Sequence, residues 1–273
     1  MLYSSVTPAA TVTWLGHATA VAELGGARVL FDPFLRSRAR RAGRVDAVLV
    51  THSHVDHLNR WSLRAVDRAA HLVVPRGARD VVADLGFSRV TEVGAGDQID
   101  LGAGTFAEAV PTRHDHGRWR KSSSPEAIGY IVSGGGATLH HAGDVDFSDH
   151  GVFDTIGKRF TIDAALLPIG GMMPVWWYRK RRHLLDQGIH IDPDCALDIF
   201  ERLGARSLVP VHWGTLHYVV GFAGRPRRRL EQIAAARGTT GVRVLGHGQS
   251  MALGALEAAP PALALEPAPT GGA

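Results

Sequence analysis

At 273 residues the chain is long enough to bury a substantial core, and its 45% hydrophobic and 21% charged composition excludes a disordered or fibrous protein. A formal net charge of +4 and a pI near 9.6 favour anionic substrates or surfaces, yet are too mild to mark a nucleic-acid binder. The single cysteine, Cys195, excludes an internal disulfide framework and fits a reducing compartment.

Taken in order, Thr11 to Leu15 and Ala20 to Leu24 read as strands joined at Gly16-His17-Ala18-Thr19, and Gly25-Gly26 is a hairpin turn leading into a strand over Arg28 to Phe31. Arg36 to Arg44 reads as a basic loop holding five arginines. The apolar run Ala47 to Val50 is a buried strand that passes directly into Thr51-His52-Ser53-His54-Val55-Asp56-His57. His52 and His54 are two apart, so at a strand end their rings project to one side. Asp56 and His57 follow where the chain must turn, so they can face a second centre. Imidazoles and a carboxylate without a softer ligand suit zinc or a neighbouring divalent metal.

Beyond this cluster, Arg60 to Ala70 has helical spacing, His71 to Pro75 is a strand, Ala78 to Leu85 a helix stopped by Gly86, and Arg89 to Val93 a strand. The stretch from Gly94 to Gly104 is rich in turn residues. A strand over Thr105 to Thr112 delivers Arg113-His114-Asp115-His116, and a hairpin over Ala127 to Ala142 ends at Gly143-Asp144. Ala164 to Pro168 is a buried strand. Asp192 and Pro193 open a helix that Gly204 stops, and a strand over Ser207 to Val211 runs into His212-Trp213-Gly214-Thr215. A basic helix over Pro226 to Ala236 and a last strand within Gly241 to Leu253 complete the ordered part. Two sheets packed face to face and covered by helices are expected, as one domain over residues 1–256 followed by a disordered Ala/Pro/Gly tail over 257–273.

His114, Asp144 and His212 each lie just past an apolar strand, and strand ends of a sandwich converge on one edge. With His52, His54, Asp56 and His57 they make seven ligands. That number suits two metals bridged by Asp144, with room for a bridging water that is largely hydroxide at neutral pH. Asp32 and Thr51 are expected to orient the histidines of the loop, and His17 is balanced between that role and turn capping. His140 and His141 adjoin on a strand, so at least one faces away from the metals. His71, His150, His183 and His247 are expected at the surface or in loops, His116 and His217 at most at the rim, and Cys195 in the core.

The His-x-His-x-Asp-His motif at 52–57, with the later ligands in order, resembles the metallo-β-lactamase superfamily from Trp14 to about Met251. The resemblance implies an α+β fold, a four-layer αββα sandwich with a dinuclear site on one edge. It implies His52, His54 and His114 on one metal, Asp56, His57 and His212 on the other, and Asp144 between them. Within the superfamily, Trp14-Leu15-Gly16-His17-Ala18-Thr19, Asp32-Pro33, Ala142-Gly143-Asp144, Ile156-Gly157-Lys158-Arg159-Phe160, Pro168-Ile169-Gly170, His190-Ile191-Asp192-Pro193 and His212-Trp213-Gly214-Thr215 look like N-acyl-phosphatidylethanolamine-hydrolysing phospholipase D. That likeness puts His190 beside the site as a contact for phosphate or a leaving group. A departure is Val145-Asp146 after Asp144, where that group carries Thr-Gly.

The function expected is therefore a dinuclear metal-dependent hydrolase, a phosphodiesterase of phospholipase D type, with Asp56, Asp144 and His190 taking part in the chemistry. Two divalent ions are its cofactors, zinc first, with manganese or iron also fitting the ligands. Hydrolysis of a lactone or other carboxylic ester on the same site is the alternative, and a non-catalytic metal-binding protein a second. The expected partner is a small-molecule or lipid phosphodiester. Met172 to Tyr178 followed by Arg179 to Arg182 reads as contact with an anionic membrane surface, as a lid, or as core. Nothing in the sequence supplies an arm for nucleic acid, and an oligomer is compatible with it. Residues 1–10 lack a signal-peptide pattern and no apolar run reaches the ~20 residues of a span, so the expected location is cytoplasmic, with peripheral membrane contact allowed.

Overall fold

Three strands open the fold: β1 (Thr11–Gly16), β2 (Thr19–Leu24) and β3 (Ala27–Phe31), folded antiparallel. The β2–β3 turn needs positive φ at two successive positions, 58° and 97°, which glycine adopts without a Cβ penalty at Gly25 and Gly26. The computed structural model describes residues 10–114, 126–147, 150–171, 190–215 and 223–254. The expected tail and the aromatic–basic segment at 172–182 lie outside these residues, as do His116, His183 and His217.

From β3 onward the chain adds parallel strands, β4 (Ala47–Leu49), β5 (His71–Pro75) and β6 (Arg89–Val93), through crossovers that carry α1 (Arg36–Arg41), α2 (Arg60–Leu63) and α3 (Arg79–Val82). The second half is built in the same sense. An antiparallel run of β7 (Gln98–Gly102), β8 (Thr105–Pro111), β9 (Ile128–Gly134) and β10 (Ala137–His141) is extended by parallel β11 (Ala164–Pro168) and β12 (Ser207–Val211). Its crossovers carry α4 (Gly151–Arg159) and α5 (Pro193–Leu203), with α6 (Arg225–Arg237) packed on α5. The last strand, β13 (Gln249–Ala252), returns to pair with β1. The sheets run β13-β1-β2-β3-β4-β5-β6 and β12-β11-β10-β9-β8-β7.

Three apolar layers account for the architecture. Trp14, Leu24, Phe31 and Leu49 of the first sheet meet Ile128, Tyr130, Leu139, Leu166 and Val209 of the second between the sheets. Outside the first sheet, Leu30, Val48 and Leu72 pack under Ala39, Leu63 and Val82 of the helical crossovers. Outside the second, Ala165, Leu167 and Leu208 pack under Phe153, Ile156, Leu197, Phe200 and Leu230. The result is the four-layer αββα sandwich. Parallel strands β3, β4, β10, β11 and β12 all end at one edge, where open α/β sheets place their sites.

Several local expectations change. Arg36 to Arg41 is a helix rather than a loop, because Ala39 and Ala42 bury against the first sheet while Arg40 and Arg41 point outward. The helix at Arg60 stops at Leu63, where the Arg68 guanidinium takes up the Leu63 and Val66 carbonyls in place of further helical bonds. A strand, β7, lies within the turn-rich stretch, with Ile99 and Leu101 buried and their neighbours exposed. His71 is buried, its Nε2 2.8 Å from the Thr91 hydroxyl on the adjoining strand. Among the described residues no helix is long and apolar enough to cross a membrane.

Burial also holds two histidines outside the site neutral. Burial and then Arg89 lower the His71 pKa from 6.5 to about 4, and burial lowers His140 to about 4 against the pull of the Tyr130 carbonyl. The unfolded chain therefore binds more protons than the folded one below pH 6.5, so stability falls as pH drops from about 6.5 to 4 and levels off below. Urea unfolding at pH 7.5 and 4.5 should show a lower midpoint at the acid pH, and replacing both residues (His71→Gln, His140→Phe) should reduce the difference.

Candidate metal centre

The strand ends bring eight expected residues to one edge. His52, His54, Asp56 and His57 come from the loop after β4, His114 follows β8, Asp144 follows β10, His212 follows β12, and His190 precedes α5. Close approach has shaped the backbone here. A Cβ at Gly143 would lie 2.9 Å from Thr51, and one at Gly170 would collide with the His212 carbonyl. Of the five non-glycine residues at positive φ among the described residues, His17 (56°), Asp32 (40°) and His212 (58°) are at this edge. Such conformations persist only where surrounding bonds over-determine them.

Two groups of donors form around Asp144. In the first, His52 Nε2 lies 3.0 Å from His54 Nδ1 and 3.5 Å from Asp144 Oδ2, while His114 Nε2 lies 3.2 Å from His54 Nδ1 and 3.9 Å from Asp144 Oδ2. In the second, Asp56 Oδ2 is 2.9 Å from His17 Nε2, 3.4 Å from His212 Nε2 and 3.9 Å from His57 Nε2. Asp144 spans the two, with Oδ2 3.2 Å from His57 Nε2 and Oδ1 3.3 Å from His212 Nε2. His190 closes one side, its Nδ1 3.3 Å from Asp144 Oδ2.

The donor set fits metal. Nitrogen and oxygen ligands 2.0–2.2 Å from a tetrahedral centre are about 3.3–3.6 Å from one another, and the donor atoms here, 2.9–3.9 Å apart, bracket that range. His57 Nε2, His212 Nε2 and both Asp144 carboxylate oxygens are buried without a hydrogen-bond partner among the described residues. Left so, each costs about 1–3 kcal/mol. A cation between them removes that cost.

A polar frame sets the rings. The fully buried Asp32 accepts from the Thr51 amide (2.8 Å) and hydroxyl (2.7 Å), and its Oδ2 is 2.8 Å from His57 Nδ1, so His57 presents Nε2 inward. Thr51 Oγ1 is 3.0 Å from His52 Nδ1 and does the same for that ring. Burial first, then His57, keeps His52 well below the usual imidazole pKa. Burial and His212 lower His17 to about 4, and burial lowers His190 to about 3 against Asp144. For His57 burial opposes charge, but Asp144 and Asp32 outweigh it and raise the pKa. Asp144 and Asp56 are likewise penalised by burial. His190, His212 and His57 around Asp144, and the hydrogen bond from His17 with His212 and His57 nearby at Asp56, outweigh the penalty and hold both carboxylates well below their usual range.

The structure brings together all seven expected ligands and His190. His140 faces the helices near Phe153, and His141 stacks on Phe31 with its Nε2 2.9 Å from the Ala18 carbonyl, so neither reaches the centre. Sequence spacing had weighted His17 evenly with a turn cap, whereas its side chain lies on Asp56. The signal was a histidine directly after Gly16 in the β1–β2 turn, aimed at the same edge. Cys195 packs on the α4–α5 layer, away from the site.

The family model for the β-lactamase superfamily domain matches residues 27–213. A UPF0173 metal-dependent hydrolase of Nitratidesulfovibrio vulgaris is 34% identical over 80% of this chain and 86% of its own. N-acyl-phosphatidylethanolamine-hydrolyzing phospholipase D 1 of Caenorhabditis elegans is 26% identical over 82% and 70%. Among solved structures, the metallo hydrolase Igni18 of Ignicoccus hospitalis superposes with a TM-score of 0.66 at 20% identity, covering 89% of this chain and 97% of its own. The chain belongs to the metallo-β-lactamase superfamily, and its paired His/Asp clusters are of a kind that holds metal.

Asp32 touches the donor groups only at His57 Nδ1 and reaches His52 through Thr51, so its contribution is one of orientation. Asp32→Asn should lower metal affinity by about 10–100-fold in competition with a chromophoric chelator, with the circular dichroism spectrum retained. Unchanged affinity would show that His57 is oriented by something else.

Proposed function

We propose that this metal-dependent hydrolase is a phosphodiesterase of phospholipase D type, working at a dinuclear centre. In this reading His52, His54 and His114 hold one divalent ion, Asp56, His57 and His212 the other, and Asp144 joins them, all within one hydrolase domain over residues 1–256. The observation that carries it is the placing of Asp144: one buried carboxylate with an oxygen near His52 and His57 and the other near His212. Zinc suits the donors, and manganese or iron would be accommodated by the same atoms. Bound there, the metal supplies Lewis acidity and a water acidified into the neutral range.

The chain's own groups then position and hold. Asp32 and Thr51 fix the ring orientations, and apolar packing beneath the edge keeps bulk water from the carboxylates. His190 is the residue placed to meet substrate. Its side chain is 28% exposed, against 0–3% for His52, His57 and His114 and 19% for Asp56, and it stacks between His114 and His212. From there an N–H can bind a phosphoryl oxygen or support the leaving oxygen. Support for a phosphodiester comes from the name of the Caenorhabditis relative and from the resemblance of His190-Ile191-Asp192-Pro193 to that group of phospholipases. An anionic small molecule or lipid suits the basic chain.

The test is turnover of bis-p-nitrophenyl phosphate, a lactone and an N-acyl phosphatidylethanolamine by metal-stripped protein with zinc or manganese restored. Phosphodiester turnover that returns with metal is expected; lactone turnover alone would move the substrate to carboxylic esters and sink the phosphodiesterase reading. In the same assay Asp144→Asn should abolish turnover and weaken metal binding by about 10²-fold or more, because a ligand is lost rather than its support. Full activity in that variant would overturn the site assignment.

A further inference from the structure

His17 sits among Asp56, His57 and His212 with donor atoms close enough to count as a fourth ligand of the second group. Its surroundings say otherwise. The rings assigned as ligands whose second nitrogen is accounted for, His52 and His57, each place Nδ1 against an oxygen, of Thr51 and of Asp32. This arrangement fixes the proton away from the metal-facing nitrogen. His17 lacks it: its Nδ1 is buried without a hydrogen-bond partner among the described residues. As a ligand through Nε2, His17 would have to carry its proton on Nδ1, leaving a buried N–H donor unmet. With the proton on Nε2, the ring donates across 2.9 Å to Asp56 Oδ2 and only an acceptor is left unmet.

The backbone of the same residue is held from three sides. The His17 carbonyl accepts from Trp14 Nε1 (2.8 Å) and from the His212 amide (2.9 Å), and the His17 amide donates to Thr215 Oγ1 (3.1 Å), which also accepts from Arg38 (2.9 Å). His17 belongs to the first sheet and His212 to the second. One residue thus holds Asp56 by its side chain and His212 by its main chain, and those two groups come from different sheets. The three-sided hold accounts for its φ of 56°.

We propose that His17 is a positioning residue for the second metal, bound to Asp56 as the Nε2–H tautomer, and is not itself a ligand. The inference rests on the dinuclear reading above. It is tested on the whole protein by titrating stripped wild type, His17→Ala and His17→Gln with zinc and with cobalt(II), reading stoichiometry, the two affinities and the cobalt d–d spectrum. Glutamine keeps an N–H donor near the position of Nε2 but removes the imidazole. Wild type should take two equivalents. His17→Ala should weaken one by about 10–100-fold and leave the other unchanged. His17→Gln should recover most of that loss with a cobalt spectrum matching wild type at saturation. A His17→Gln protein that loses the second equivalent as fully as alanine, with an altered cobalt spectrum, would make His17 a ligand and overturn the proposal. Affinities unchanged in His17→Ala, or both weakened together, would overturn it as well. If His17→Ala fails to fold, the glutamine variant alone decides. A wild-type stoichiometry of one would overturn the dinuclear reading itself, and this inference with it.

Discussion

Everything at the site depends on two sheets meeting at one edge to within a fraction of an ångström. Donors from the β4 loop and donors from β8, β10 and β12 have to share a centre, and neither sheet can set that distance alone. Apolar packing between the sheets is strong but non-directional, so it holds them together without fixing their slide. Directional bonds do that. Tyr130 Oη reaches from β9 to the Val50 carbonyl at 3.0 Å, the Ile128 amide donates to the Thr51 carbonyl at 3.0 Å, and the His212 amide donates to His17 at 2.9 Å. Burial keeps the Tyr130 hydroxyl protonated, so it remains a donor. Each of these bonds lands within a few residues of a donor group, and each is sheltered from water and so costly to break.

The same edge is where the fold gives up stability. Eight imidazoles and carboxylates are gathered where most are buried, with unmet atoms on His57, His212 and Asp144 among the described residues, on backbone that takes positive φ at three non-glycine positions. A site of this kind is tolerated because the surrounding sheets bury three apolar layers and because an occupying cation would convert unmet polar atoms into bonded ones. Metal binding and folding are then linked: the free energy gained on binding is in part the free energy withheld by the empty donor arrangement.

How much of this the sequence disclosed follows from the range of the interactions involved. The His52–His57 cluster is local, and period-two projection with a turn after it already separates two directions. His114, Asp144 and His212 were legible because each ends an apolar strand, and strand ends in a sandwich share an edge. The α5 boundaries, Asp192 accepting from the Cys195 amide and Gly204 in the left-handed region, are written in single residues. What was not legible depends on partners far along the chain. Arg36 to Arg41 looks like a charged loop until Ala39 and Ala42 are seen to face a sheet. β7 needs β8 to reveal its alternation, and His71 needs Thr91 of the neighbouring strand to be tolerated inside. The role of His17 needs Asp56 and His212, thirty-nine and nearly two hundred residues away, on two different sheets.

The two sheets also divide the work unequally. The first contributes its donors as one block: His52, His54, Asp56 and His57 ride a single loop whose rings are braced by Asp32 and Thr51 from the adjacent strand ends. The second contributes one residue from each of several strand ends, each carried by its own element and aligned by the parallel register of β10, β11 and β12. A block can be braced locally, so its geometry survives small movements between sheets. Single residues cannot, and their placing is inherited from the register and from the bonds that cross the core. Asp144 is the extreme case: it stands where both groups must meet, just past a strand flanked by partners on each side, after a glycine that Thr51 of the other sheet leaves no room to replace.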